Sequence, residues 1–167
     1  MSEGWFVINA RDAGWERLEG SGRYCTFEDD VRFDEFGINI HVIDPGQPNC
    51  MYHGEDMQED FLVLSGECLL VIEGEERRLR QWDFVHCPSW TRHVFVGAGH
   101  GPCAILMVGT RKTEDRVIYP VEPVALAHGA GVREETEDPA VAYAGRPDPV
   151  RAAYQEGDLP AEVDRAR

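Results

Sequence analysis

The stretch that decides the fold class is residues 61–79, FLVLSGECLLVIEGEERRL. It contains two short apolar runs that are separated by Ser65-Gly66, and the second run is followed by the turn residues Glu73-Gly74-Glu75. Short apolar runs bounded by turn residues are typical of β-strands. We therefore predict two consecutive hairpins, one around Ser65-Gly66 and one around Glu73-Gly74-Glu75.

The same pattern extends over the first two thirds of the chain. Further β-prone stretches, each bounded by turn residues, are found at residues 37–44, 60–64, 68–73, 84–87, 93–96 and 104–109. Many short strands with regular turn signals predict an all-β sandwich or barrel. We place this barrel domain at residues 1–110.

Residues 111–167 have a different character, with few strand signals. Asp138-Pro139 and Asp148-Pro149 each combine a favourable N-cap residue with a proline at the first helical position. We predict a short helix after each pair and a third helix from Pro123 to His128. This part is thus expected to be an extension of short helices and loops, with the last ten or so residues frayed.

Composition and charge exclude several classes of partner. The chain has 16 basic and 31 acidic side chains, a formal net charge of −15, and 43% of its residues are hydrophobic. Such a chain can form a globular core, but it lacks the Lys and Arg clusters that bind nucleic acid or an anionic membrane. We expect neither partner.

Targeting signals and cysteines point to a cytoplasmic protein. Residues 1–6 have neither the basic nor the apolar region of a secretory signal, and no apolar run approaches the ~20 residues that span a bilayer. The five cysteines include no CxxC pair. We expect most of them to be small buried residues in a reducing compartment, and not a disulfide framework or a zinc ribbon.

Four side chains form a candidate metal site. On an extended segment His53 and Glu55 lie on the same face, roughly 7 Å apart at their Cα atoms. Glu59 begins the apolar strand that includes Phe61, and His93 begins a later strand after the Pro88 turn. A first-row divalent metal needs three or four nitrogen and oxygen ligands, which His53, Glu55, Glu59 and His93 can supply.

These residues resemble the two sequence motifs of the cupin superfamily. The first motif is matched by His53, by Glu55 in place of a second histidine, and by Glu59 and Gly66 at the family spacing. The second motif, a proline followed five residues later by a histidine, is matched by Pro88 and His93. Trp82 and Trp90 stand where the second motif usually has glycines. The resemblance covers roughly residues 37–109. This segment is similar to small bacterial cupins of the cupin 2 type.

The resemblance implies a double-stranded β-helix, or jelly-roll barrel, that holds one divalent metal ion and binds a small molecule. Replacing an imidazole by the Glu55 carboxylate favours Zn, Fe(II) or Mn over a soft metal. Glu55 is either a ligand or a group that orients a liganding imidazole. A pocket without an ion remains an alternative, because some cupins have lost their metal.

Two classes of function are consistent with this resemblance, which also implies a homodimer. The first is an enzyme: the His53, Glu59 and His93 set resembles that of cupin dioxygenases, and a metal-dependent sugar isomerase is the alternative chemistry. The second class is a module that binds a small ligand without turnover. We interpret the remaining histidines as hydrogen-bonded or surface residues; they are His41, His86, His100 and His128.

Overall fold

A computed structural model describes residues 5–28 and 31–160 of the chain. The chain end for which fraying is expected lies mostly outside these residues. Most of the described elements are β-strands: β1 (Gly14–Arg17), β2 (Arg23–Thr26), β3 (Phe36–Ile43), β4 (Gly54–Glu55), β5 (Glu59–Ser65), β6 (Glu67–Ile72), β7 (Glu75–Arg80), β8 (Phe84–Cys87), β9 (His93–Ala98), β10 (Cys103–Thr110), β11 (Val117–Ile118) and β12 (Val150–Ala152). A 3-10 helix spans Ala10–Asp12, and two short helices are α1 (Pro123–Ala127) and α2 (Pro139–Ala142).

The strands form two main antiparallel sheets. One sheet has the order β12-β1-β2-β3-β10-β5-β8, the other has the order β7-β6-β9, and β11 pairs with β4 as a separate ladder. The main core lies between the two sheets, because its buried side chains come from strands of both: Ile43, Phe61, Val63, Cys68, Leu70, Cys87, Phe95, Cys103, Ile105 and Met107. The predicted all-β jelly-roll barrel is confirmed.

The turn at Ser65-Gly66 is not the hairpin that we predicted. β5 pairs with β10 and β8, whereas β6 pairs with β7 and β9, so the chain passes from one sheet to the other at Gly66. Gly66 has a φ of 75°, and a Cβ at this position would lie 2.4 Å from the Pro102 carbonyl oxygen. Only glycine fits this close crossing. The second predicted hairpin is confirmed, because β6 and β7 pair in register around Glu73-Gly74.

The helix predictions beyond residue 110 have mixed outcomes. α1 and α2 begin at the predicted prolines, and the Asp138 side chain accepts a hydrogen bond from the N–H of Ala140 (2.9 Å). The predicted helix after Asp148-Pro149 is wrong: Val150–Ala152 forms β12 and pairs with β1. Pairing with the free edge of β1 satisfies the backbone groups that the helix would have satisfied locally. The division of the chain at residue 110 stays a prediction.

Two further observations bear on the sequence-based expectations. All five cysteines are unpaired; Cys50 is half-buried and the other four are buried, as expected for small core residues. No helix in residues 5–28 and 31–160 has the length and apolar character needed to cross a bilayer.

Candidate metal centre

His53 and His93 are placed side by side by the backbone. His93 is the first residue of β9 and His53 directly precedes β4, and the two residues form an antiparallel bridge. The two residues are 8% and 1% exposed, and their ring centroids lie 5.2 Å apart. Two imidazoles are thus buried next to each other at the end of the barrel where β5 begins.

The backbone also orients both imidazole rings. The Nδ1–H of His53 donates to the carbonyl oxygen of Met51 (2.8 Å), and the Nδ1–H of His93 donates to that of Thr91 (3.0 Å). In each case the acceptor lies two residues earlier in the chain. In the neutral ring with its proton on Nδ1, Nε2 presents a lone pair, which is the arrangement that metal-binding histidines show.

A carboxylate faces each Nε2 atom. Glu55 Oε1 lies 3.4 Å from Nε2 of His53, and Glu59 Oε2 lies 3.5 Å from Nε2 of His93. These separations exceed the 2.7–3.2 Å range of a good N–H···O hydrogen bond. They are close to the spacing of about 3.4 Å between two ligands of a tetrahedral ion with bonds of roughly 2.1 Å.

Three of the four predicted site residues form a compact cluster. The ligand atoms of His53, Glu59 and His93 all lie within 4.8 Å of one another. Glu55 is outside this cluster of three and contacts it through His53. The structure therefore brings together the histidines and Glu59, with Glu55 beside them.

Burial and neighbouring charges shift the pKa values of the cluster in different directions. Burial raises the pKa of Glu59 to about 7 and lowers the pKa of His93 to about 4. Burial also acts to lower the pKa of His53, but Cys50 and Glu55 outweigh it, so that this pKa lies above its ordinary value. Burial acts to raise the pKa of Glu55, but the interaction of its carboxylate with His53 more than offsets this effect and lowers the pKa. Such strongly perturbed groups are typical of functional sites.

Comparison with known proteins supports the fold. A family model for the cupin domain matches residues 39–109. Residues 39–109 thus form a cupin domain. A comparison with curated proteins gives no significant match.

Several solved structures resemble this cupin. A protein from Acidithiobacillus ferrooxidans that is provisionally described as a sugar phosphate isomerase is 28% identical, with a TM-score of 0.55 over 60% of this chain and 67% of that one. A cupin-superfamily sugar phosphate isomerase from Silicibacter pomeroyi is 19% identical, with a TM-score of 0.62 over 67% and 80% of the two chains. The polyketide cyclase RemF from Streptomyces resistomycificus is 17% identical, with a TM-score of 0.58 over 66% and 83%. The last two show a shared fold.

Trp82 and Trp90, which stand where the cupin motif usually has glycines, adopt backbone conformations that favour glycine. Both tryptophans have left-handed backbone conformations, with φ values of 76° and 69°. Glycine adopts this region at little cost, whereas other residues are strained there. Both tryptophans thus occupy positions whose backbone conformation would suit glycine better.

A cavity of about 380 Å³ opens beside the cupin metal cluster. Its wall includes His53, Glu55 and Glu59, and polar groups from several other elements complete it. Pockets of this size hold small organic ligands. The cavity is where a small molecule would meet the candidate metal centre.

Sequence reasoning missed two tyrosines of this cavity. Tyr119 and Tyr143 both line it, and both come from the segment after the matched cupin domain. The Tyr119 ring lies 5.9 Å from the His53 ring, and Tyr143 accepts a hydrogen bond on its hydroxyl from the N–H of Met51 (3.1 Å). No motif marks either residue, because their approach to the site depends on how the chain folds back after β10.

His41 lies in a different environment from the hydrogen-bonded or surface position that we predicted. It lines the cavity from β3, and it makes no hydrogen bond to another described residue. Burial lowers its pKa to about 4, and its ring stacks on Tyr24 at 5.0 Å. The alternation of residues along β3 could have indicated an inward side chain, since Asn39 and His41 share one face. His86 and His128 do fit their assignment, with hydrogen bonds to Asp60 and Glu76.

Proposed function

We propose that this cupin binds one divalent metal ion through His53, Glu59 and His93, and that it is an enzyme acting on a small molecule in the adjoining cavity. One observation carries the proposal: both imidazoles turn an Nε2 lone pair toward a carboxylate that lies too far away for a good hydrogen bond. Two neutral imidazole nitrogens beside two half-buried carboxylates are unfavourable without a positive charge between them. A cation satisfies all four groups.

Glu55 has two roles consistent with its position. It either contributes a fourth ligand atom or holds His53 in place from outside the ligand set, since its Oε1 is 3.4 Å from Nε2 of His53. Nitrogen and carboxylate ligands suit Zn, Fe(II) or Mn. The Nδ1 contacts to Met51 and Thr91 would fix both liganding rings before the ion arrives.

The reaction that we favour is dioxygenase-like. Two histidines and one carboxylate with open positions are the ligand set of non-haem Fe(II) oxygenases, in which the bound ion supplies sites for substrate and O₂. The protein would contribute the shape of the cavity, the fixed imidazoles and the exclusion of bulk water from the buried cluster.

A second candidate is isomerisation of a sugar-like substrate. It is favoured by the 28% identity to the protein provisionally described as a sugar phosphate isomerase. The polar cavity wall, which includes Asn39, His41 and Tyr119, offers hydrogen-bonding groups suited to an oxygen-rich substrate. A metal ion would serve here as a Lewis acid.

Three expectations about partners and location stay predictions. The absence of a nucleic-acid partner rests on the net charge of −15, and the cytoplasmic location rests on the sequence alone. The homodimer is supported by exposed apolar side chains near the start of the described chain, with Trp5 69% and Val7 90% exposed. Exposed apolar clusters of this kind mark contact surfaces. Sedimentation equilibrium would test it: we expect twice the mass of one chain.

The metal proposal is tested by elemental analysis of the protein and of the double variant His53→Ala, His93→Ala. We expect one equivalent of a divalent metal in the parent protein and none in the variant. Retention of stoichiometric metal by the variant would refute the site. Oxygen uptake by the Fe(II)-loaded protein with catechols, aminophenols and thiols, set against isomerisation of sugar phosphates, then separates the two reactions. Activity in neither assay would count against an enzyme of either kind.

A further inference from the structure

The geometry assigns a ligand-contacting role to Tyr119: we propose that its hydroxyl donates a hydrogen bond to an oxygen atom of the small molecule bound at the metal centre. The ligand class is therefore a small oxygen-bearing molecule with a carbonyl, carboxylate or hydroxamate group. This inference rests on the proposed metal site, and it adds a residue from outside the matched cupin domain.

The backbone of Tyr119 is fixed next to the metal cluster. β11 pairs with β4 so that Ile118 lies opposite Gly54, and one further step along both strands sets Tyr119 beside His53. On its other side the Tyr119 N–H donates to the carbonyl of Thr136 (2.8 Å) and its carbonyl accepts from the N–H of Thr136 (3.2 Å). Both flanks of this residue are thus held by main-chain hydrogen bonds.

The ring of Tyr119 is held as firmly as its backbone. The residue is 6% exposed and belongs to a buried apolar cluster with Met51, Val132 and Ala142. Tyr143 meets it edge to face at 5.9 Å and 89°, and the His53 ring lies 5.9 Å away on another side. A ring packed in this way directs its hydroxyl to one place.

The hydroxyl is the part of Tyr119 that the protein does not use. The Tyr143 hydroxyl accepts a hydrogen bond from the N–H of Met51. In the described part of the chain, no group forms a hydrogen bond with the Tyr119 hydroxyl. It is also not sealed away from solvent, unlike the unpartnered Tyr154 hydroxyl, and the residue lines the cavity. Buried tyrosines usually find a partner for the O–H group. A ligand oxygen in the cavity would supply the hydrogen-bond acceptor that the Tyr119 hydroxyl lacks within the protein.

Tyr119→Phe tests the role because it keeps the ring and removes only the hydroxyl. The cobalt-loaded parent and variant are titrated with acetohydroxamate, which chelates metals through oxygen atoms that accept hydrogen bonds, and with imidazole, which presents no acceptor once bound. We expect the Kd for acetohydroxamate to rise about tenfold in the variant, within the range of one hydrogen bond to a charged group. The Kd for imidazole should not change. Tyr154→Phe is the matched control, and both of its Kd values should equal those of the parent.

Metal content, measured by elemental analysis on the same samples, separates the possible failures. Unchanged metal with an unchanged acetohydroxamate Kd would overturn the role of Tyr119 and leave the metal centre standing. Equal weakening of both probes, or loss of metal from the variant alone, would make Tyr119 a packing residue and also overturn the inference. Absence of metal from the parent protein would refute the proposed function, and the role of Tyr119 with it.

Discussion

His53 and His93 exchange two main-chain hydrogen bonds: the N–H of His53 donates to the carbonyl of His93 (3.2 Å), and the N–H of His93 donates to the carbonyl of His53 (2.8 Å). The two side chains therefore emerge from directly opposed positions of an antiparallel pair. The positions of the rings are set by backbone register and by the Nδ1 contacts, and not by the metal ion that the rings would bind. The candidate centre is thus pre-organised.

His93→Ala should abolish metal binding and leave the fold intact. We expect the metal affinity to fall by more than about 100-fold, since even the loss of a group that only supports a ligand costs about 10–100-fold. The measurement is a competition titration with a chelator. His86→Ala is the control, because His86 is exposed and pairs with Asp60 away from the cluster; equal losses in both variants would contradict the assignment.

Glu59→Gln and Glu55→Gln should differ in their effects. Glu59 belongs to the compact cluster and Glu55 reaches it through His53. We expect Glu59→Gln to lose stoichiometric metal, whereas Glu55→Gln should weaken binding by about 10–100-fold if it acts on His53 from outside the ligand set. Isothermal titration with Zn or Mn measures both. A larger loss of metal affinity in Glu55→Gln than in Glu59→Gln would instead make Glu55 the ligand and Glu59 the supporting residue.

Tyr143→Phe should destabilise the protein and weaken its metal binding. The variant leaves the Met51 N–H without its acceptor, and Met51 also carries the carbonyl that orients His53. We expect a loss of about 1 kcal/mol in the free energy of unfolding, typical of one lost hydrogen bond. Urea unfolding and a metal titration check the two effects. A loss of stability with unchanged metal affinity would show that Met51 does not transmit the change to His53.

Asp158→Ala should be one of the more costly single substitutions near the chain end. The Asp158 carboxylate is paired with the Arg23 guanidinium on β2, and their side chains are 2% and 10% exposed. Removing one partner of a buried pair costs about 3–5 kcal/mol; here we expect the lower end, because Asp44 still lies 3.3 Å from Arg23. Chemical denaturation measures the change. Glu156→Ala is the control, with a side chain that is 81% exposed, and it should have an effect near zero.

Trp82→Gly should leave the protein equally stable or stabilise it by up to about 1 kcal/mol, because glycine relieves the positive φ of this position. Trp82 is 67% exposed, so little packing is lost. The midpoint of thermal unfolding is the measurement. Phe84→Gly is the matched control: Phe84 is similarly exposed, at 64%, but lies in β8, where glycine should destabilise the strand. Destabilisation by Trp82→Gly as large as that of the control would contradict the strain argument.

Some features of this cupin could be predicted from local sequence alone. The strand that includes Phe61 and the hairpin at Glu73-Gly74 follow from apolar runs and turn residues, and the start of α2 follows from Asp138-Pro139. The proximity of Glu59 and His93 followed from motif spacing within the barrel. In each case the decisive interactions are local, or the spacing is tied to a known fold.

Other features depend on distant parts of the chain. Gly66 turns the chain into the other sheet because the Pro102 carbonyl lies against it, and residues 150–152 form a strand because the edge of β1 is free to pair with them. Both outcomes differ from what the local sequence predicts, which is a hairpin at Ser65-Gly66 and a helix after Asp148-Pro149. Tertiary pairing outweighed turn and helix propensity, as it does when propensities differ by only about 1 kcal/mol per residue.

The sequence by itself determined the β-rich barrel and the residue types of the candidate metal centre, because short apolar strands between turns favour a barrel and a His, Glu and His set suits a divalent ion. Only the tertiary structure decided that Glu55 lies beside the cluster of three, that His41 lines the cavity, and that the Tyr119 ring lies next to the His53 ring. The physical reason is that a cavity wall is assembled from strands far apart in the chain. No local spacing encodes which of their side chains meet.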